Sequence, residues 1–262
     1  MYTLFRKEIF SFLNSLIGYL AVIVFLLVNG LFLWVFPLGF NVIDYGYASL
    51  DNLFTLSPFV FMFLIPAITM RSFADEKRSG TIELLLTKPL TDVQIILAKY
   101  LAGVTLVFFS LLPTLIYALS VYLLGLPKGN LDMGGMWGSY IGLLFLASAF
   151  VAVGLFVSSV TGNQIIAFIL ALIVSGFLYT GFDFIAALSL FGKADLFIMS
   201  LGIQAHYVSL SRGVIDSRDV LYFASLITIF ILLTKIVLES RKWETQGKHL
   251  RSGNQEFTGK QG

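Results

Sequence analysis

The side chains able to do chemistry are few in this 262-residue chain, and their spacing argues against catalysis. There is no cysteine, which removes thiol nucleophiles, thiolate metal sites and disulfides together. The two histidines, His206 and His249, lie far apart, and no His-Glu-x-x-His run sets a metal-binding pair on one helix face. No Gly-x-Ser-x-Gly elbow presents a serine, and no Gly-x-x-x-x-Gly-Lys-Ser/Thr loop could cradle phosphates. Asp183 sits at the edge of an apolar run without a second acid to work with. The reading at this point is a chain with no active site, no metal and no cofactor of its own.

Two polar stretches have the makings of binding surfaces instead. The first runs from Arg71 to Lys99. Its charged block, Asp75-Glu76-Lys77-Arg78, has helical character, and Gly80 interrupts it. Thr81-Ile82-Glu83-Leu84-Leu85-Leu86 then reads as a short helix stopped ahead of Pro89, because a residue before proline avoids helical geometry. Thr91 with Gln94 forms a capping-box pattern that opens the next helix. Ile82, Leu84, Leu85 and Leu86 in so polar a loop must be covered by lipid, by the loop itself or by a partner. The second stretch runs from Gln204 to Asp219 and holds His206, Arg212, Asp216, Arg218 and Asp219. Only Arg212 and Asp216 have the four-residue spacing that pairs along a helix. A solvated surface is the plain reading of that cluster; a gate at one end of a membrane path is the sharper one.

The elements that must position these stretches follow from composition. The chain is 58% hydrophobic and 12% charged, with a mean hydropathy of +0.90, against about 25% charged residues in ordinary globular domains. One core could not hide this much apolar surface, so lipid must cover the rest. A net charge of +2 does not point to a nucleic-acid partner. Six apolar runs are long enough to cross a bilayer, at about 16–36, 53–70, 100–126, 136–160, 165–182 and 220–238. The second carries Pro58 and Pro66 and is expected to be kinked or partly broken. Thr161-Gly162-Asn163-Gln164 is short enough to make the fourth and fifth an antiparallel hairpin. In the fourth, Gly138, Gly142, Ala149, Gly154 and Ser158 allow close helix approach, most simply within the chain. Ahead of the first run, Tyr2–Ser15 sets Leu4, Phe5, Ile9, Phe12 and Leu13 against Arg6, Lys7 and Glu8, the pattern of a helix lying in the interface. The expected architecture is an all-α polytopic membrane protein: a transmembrane domain over 1–242, then a disordered cytoplasmic tail over 243–262.

Orientation comes from Lys and Arg. Six spans put both termini on one side, which then holds Arg6, Lys7, Arg71, Lys77, Arg78, Lys88, Lys99, Lys235, Arg241, Lys242, Lys248, Arg251 and Lys260. The other side has only Lys128, Lys193, Arg212 and Arg218. Thirteen against four places both termini in the cytoplasm. Within the spans, charge is nearly absent apart from Asp183 and Lys235. A proton- or sodium-coupled carrier needs buried ionisable groups, so an externally powered machine fits better.

The run from Glu76 to Lys99 resembles the signature loop of ABC-2-type permeases, through Glu76, Gly80, Thr81, Glu83, Leu85, Leu86, Pro89 and the lysine Lys99 entering the next span. The stretch His206-Tyr207 with Arg212-Gly-Val-Ile-Asp216-Ser-Arg218-Asp219 is similar to the gliding-motility (GldF-like) subgroup of that family. The resemblance implies six spans, an interfacial helix and a coupling helix. It implies that the loop docks into a cleft on a separate ABC ATPase subunit, which would bind ATP and Mg. Arg78 and Glu83 would make polar contacts there and Ile82, Leu84 and Leu85 would fill the cleft. A second permease copy or related membrane subunit would complete the assembly in the bacterial inner membrane. The alternative is a membrane anchor or scaffold in a motility or secretion machine, using the loop only for docking.

Overall fold

The computed structural model describes residues 1–37, 39–81, 90–189, 192–213 and 216–258, without the side chains of Ile17, Tyr45, Lys193 and 241–258. Ile82, Glu83, Leu84, Leu85 and Pro89, with the short helix expected there, lie outside the described residues. The described residues form helices and turns with no strand. In chain order the helices are α1 Tyr2–Leu13, α2 Leu16–Trp34, α3 Val42–Tyr45, α4 Asp51–Thr69, α5 Arg71–Arg78, α6 Asp92–Leu111 and α7 Leu115–Leu124. They continue as α8 Met133–Val160, α9 Gln164–Gly176, α10 Phe182–Ala187, α11 Asp195–Ser200, α12 Ile203–Leu210 and α13 Ser217–Thr258. Five helical stretches are long and apolar enough to cross a bilayer, and α1–α2, bent by 63°, gives a sixth if that pair is one span. The protein is an all-α polytopic membrane protein.

Local chemistry explains the breaks. Ser15 makes the α1–α2 bend: its Oγ accepts from the Gly18 amide at 3.1 Å and donates to the Phe12 carbonyl at 3.0 Å, capping one helix and closing the other. The Thr91–Gln94 capping box is present in full at the start of α6, with both bonds made, at 3.2 and 3.3 Å. Gly80 follows α5 with φ +69°, a left-handed turn that glycine adopts without a Cβ penalty. Pro113 falls in a 3-10 turn, Leu112–Thr114, that separates α6 from α7. Between α8 and α9, Asn163 caps the hairpin by accepting from the Ile165 and Ile166 amides at 2.9 and 3.4 Å.

Helix α4 runs through both Pro58 and Pro66 without breaking. Pro58 has no N–H for the Phe54 carbonyl four residues back, and the Tyr207 hydroxyl takes that carbonyl instead, at 2.6 Å. The interruption comes later, at Met70, between α4 and α5. Helix α13 also continues without interruption to Thr258. No proline interrupts the run after Ser217, and Lys, Arg, Gln and Glu are good helix formers.

Helix α8 is the centre of the bundle, with buried residues on every side of it. Small residues let its neighbours in. A Cβ on Gly154 would run into the Thr69 side chain of α4. One on Gly138 would lie 2.5 Å from Gly213 Cα, and one on Gly142 would lie 3.0 Å from Leu210 Cβ of α12. The small residues of this span thus serve packing inside the chain. Phe25 of α2 stacks on Phe61 of α4 at 4.8 Å, and buried Asn29 accepts from Ser57 Oγ at 3.2 Å across the same pair. The α9–α10 span contains a π-turn, Phe177–Gly181, and α13 is the most exposed span, only 11% of its apolar window being buried.

Candidate functional site

The site is built where α4 leaves the bundle. Ser158 of α8 inserts its hydroxyl into the α4–α5 joint, accepting from the Phe73 and Ala74 amides at 3.0 and 3.1 Å and donating to the Met70 carbonyl at 3.0 Å. Those two amides would otherwise point at carbonyls of the preceding turn. A side chain inserted into the helical ladder is a recognised cause of a bend, and here it anchors α5 to the central helix. Asp75 is hydrogen-bonded by Gln164 Nε2, and Lys77 donates to the Ser159 carbonyl, so the α8–α9 turn grips α5 along one side.

On its other side α5 meets a buried ion cluster. Lys99, 3% exposed, reaches Glu76 of α5 at 2.8 Å and Glu8 of α1 at 3.0 Å. Its ammonium also lies 5.2 Å from the Phe73 ring centre. One lysine thus joins α1, the charged block and the start of α6. Such a cluster is sensitive: losing the cation leaves two carboxylates desolvated and uncompensated. A small cavity of about 200 Å³ adjoins it, with Lys7, Arg71 and Lys99 balanced by Glu8, Asp75 and Glu76. Arg78, Gly80 and Thr81 extend the block outward and are exposed, facing away from the bundle.

At the opposite, far end, the second polar stretch divides. His206 is fixed: Nδ1 lies 2.7 Å from Asp219 Oδ1, Nε2 lies 2.9 Å from the Ser200 carbonyl, and its ring stacks on Tyr222 at 3.9 Å. It ties α12 to the ends of α11 and α13. The neighbouring Tyr207 ties α12 to α4 through the Phe54 carbonyl. Burial pushes the Tyr207 phenol well above its ordinary range, helped by nearby Tyr179, so it remains a donor. Arg212 is exposed and lines a cavity of about 660 Å³. Asp216 and Arg218 stand apart from that cavity's lining. Asp216 Oδ1 accepts from the Arg218 amide at 2.9 Å, opening α13. Arg212 and Asp216, four residues apart in sequence, do not share a described helix: α12 ends at Leu210 and α13 begins at Ser217.

A family model described as "ABC-2 family transporter protein" matches residues 37–238. The chain belongs to the ABC-2 transporter family. No curated protein matches it. The match covers α3 to the span portion of α13, and therefore every described part of the site except α1. Membership makes this ABC-2 protein a multi-pass permease component of an ABC transporter, a class that in general works with an ATPase partner.

Sequence reasoning selected Asp75, Glu76 and Arg78 as one surface, and the structure separates them by role. Asp75 and Glu76 hold α5 to the bundle, and Arg78 is free to face outward. Glu8 and Ser158 were missed as site residues, and Lys99 was noted without its partners. The signal for Glu8 was an acid on an otherwise basic interfacial helix. Nothing in the sequence pointed Ser158 at the α4–α5 joint.

Proposed function

We propose that this permease is the membrane subunit of an ATP-driven ABC-2 exporter associated with gliding motility. ATP and Mg are bound by a separate ATPase subunit, and this chain has no enzymatic activity of its own. It lies in the bacterial inner membrane with both termini in the cytoplasm and pairs with a second copy or a related permease. The thirteen-to-four distribution of Lys and Arg supports that orientation, and the His206–Asp219 stretch supports the motility subgroup.

The observation that carries the reading is the way α5 is held. A helix clamped to α8 through Ser158 and to α1 and α6 through Lys99 moves with the bundle when its tip is pushed. The tip is formed by Arg78, Gly80 and Thr81, and Ile82–Pro89 follow it in sequence. ATP-driven closure of the ATPase subunits displaces that tip and shifts α4 and α6 with it, a rigid-body transmission. At the far end, α12 with His206, and the stretch after it with Arg212, Asp216 and Arg218, act as the gate, which Tyr207 connects to α4. Replacing His206 and Arg212 together abolishes transport on this reading; transport left intact removes the gate from it.

The deciding experiment is affinity purification from native membranes in mild detergent, with an assay of the co-purifying ATPase activity. An ATP-binding subunit should accompany the chain and be lost in the Glu83→Ala/Leu84→Ala variant, with membrane insertion unchanged. A stable chain arriving without an ATPase overturns the coupling and leaves a membrane anchor.

A further inference from the structure

The far-end cavity of about 660 Å³ lies within one chain, and its size falls in the range of about 300–1,000 Å³ that ligand sites occupy. It runs down the wall of α4 from Asp51 to Phe59, eight residues at 1.5 Å each, or about 12 Å. Polarity changes along that depth. At the mouth stand Asp51, Asp132 and Arg212, all exposed. Further along α4 lie Phe59, which is itself partly open to the outside, and buried Tyr179, packed edge to face at 5.7 Å, with buried Tyr207 at 6.4 Å from Tyr179. Tyr179 belongs to the π-turn, a distortion that is frequent at functional sites.

The mouth charges are not spent on one another. The ion pairs among the described residues join Lys99 to Glu8 and Glu76, His206 to Asp219, and Lys235 to Glu239, and none includes Asp51, Asp132 or Arg212. An anionic ligand there meets two carboxylates, and a cationic one meets a guanidinium. A head group carrying both signs matches both. The planar guanidinium of Arg212 suits a phosphate, and Asp51 and Asp132 suit an ammonium. The charged end of the cavity lies where the apolar helices beginning at Asp51 and Met133 start, the place where a span meets the head-group layer, and the aromatic wall further along α4 suits hydrocarbon. We propose that this cavity binds one zwitterionic phospholipid, phosphate toward Arg212, ammonium toward the two aspartates, and upper chain against Phe59 and Tyr179. The site needs the membrane setting but not the ATPase, so it stands or falls apart from the coupling.

The test is to reconstitute the full chain in nanodiscs of equal parts phosphatidylethanolamine and phosphatidylglycerol, release it, and count retained lipids by native mass spectrometry. One phosphatidylethanolamine per chain should be retained over phosphatidylglycerol by about tenfold, the worth of one charge-assisted contact. Arg212→Gln should lower that retention by a similar factor, and Asp51→Asn should shift the preference toward the anionic lipid. Arg6→Gln, at the opposite end of the bundle, serves as the control and should leave the count unchanged. Equal retention of both lipids, no retained lipid, or a count indifferent to both Arg212→Gln and Asp51→Asn overturns the proposal.

Discussion

Lys99 is the residue on which most of the hold on α5, the arm that leaves the bundle after α4, depends. Its side chain is 2% exposed between two carboxylates, so Lys99→Met leaves Glu8 and Glu76 buried without a cation. We expect a loss of about 3–5 kcal/mol, the usual cost of breaking a buried ion pair by removing one partner. Lys99→Arg should keep most of the stability. Adding Glu8→Gln and Glu76→Gln to Lys99→Met should restore part of it, which a mutant cycle of thermal melts in detergent would read. Tyr207 makes a second, sharper case. Tyr207→Phe orphans the Phe54 carbonyl that Pro58 already leaves without an amide, at a cost of about 1–3 kcal/mol. In that background Pro58→Ala supplies the missing N–H and should recover stability, whereas in the wild type the same change gains little. Equal effects of Pro58→Ala in both backgrounds would remove the explanation given for the unbroken α4.

Helix α8 and the α4–α5 joint set the behaviour of the elements. Gly154 lies so close to Thr69 that a Cβ has no room, and the obstruction is a short β-branched side chain on a packed helix. Gly154→Val should therefore push α4 from α8 and lower the yield of folded protein in membranes, measured by fluorescence-detected size exclusion. Pairing Gly154→Ala with Thr69→Ser should be far milder. Ser158→Ala tests the joint. It removes the acceptor of two amides and the donor to Met70, while a cavity of one oxygen is small. Spin-label distances from α5 to α8 should broaden in Ser158→Ala, and the fold should persist; an unchanged distribution would mean that Ser158 does not fix the arm.

At the scale of the whole molecule the testable quantity is topology. The chain has no native cysteine, so single cysteines report accessibility without background. A cysteine at Ser79, beside α5, should react only with reagents that reach the cytoplasm. One at Ser49, at the mouth of the far cavity, should react with impermeant reagents from outside. Both reacting from the same side would break the six-span arrangement.

Composition determined the membrane setting, because a chain with this little charge has no other way to cover its apolar surface. Periodicity and turn residues determined the apolar helices, the amphipathic helix at Tyr2–Leu13 and the capping box at Thr91, since those depend on neighbours within a turn or two. The charged block Asp75–Arg78 was legible as a helix for the same reason. Tertiary structure decided what each charge does. Glu8 and Lys99 are 91 residues apart, and Phe73 and Ser158 are 85 apart, so no local pattern announces their contact. The prolines leave α4 unbroken, and the carbonyl freed by Pro58 is satisfied by a hydroxyl 153 residues away. Likewise, whether Arg212 pairs with Asp216 or faces a cavity depends on where α12 ends against α8, and close packing of glycine on glycine sets that position.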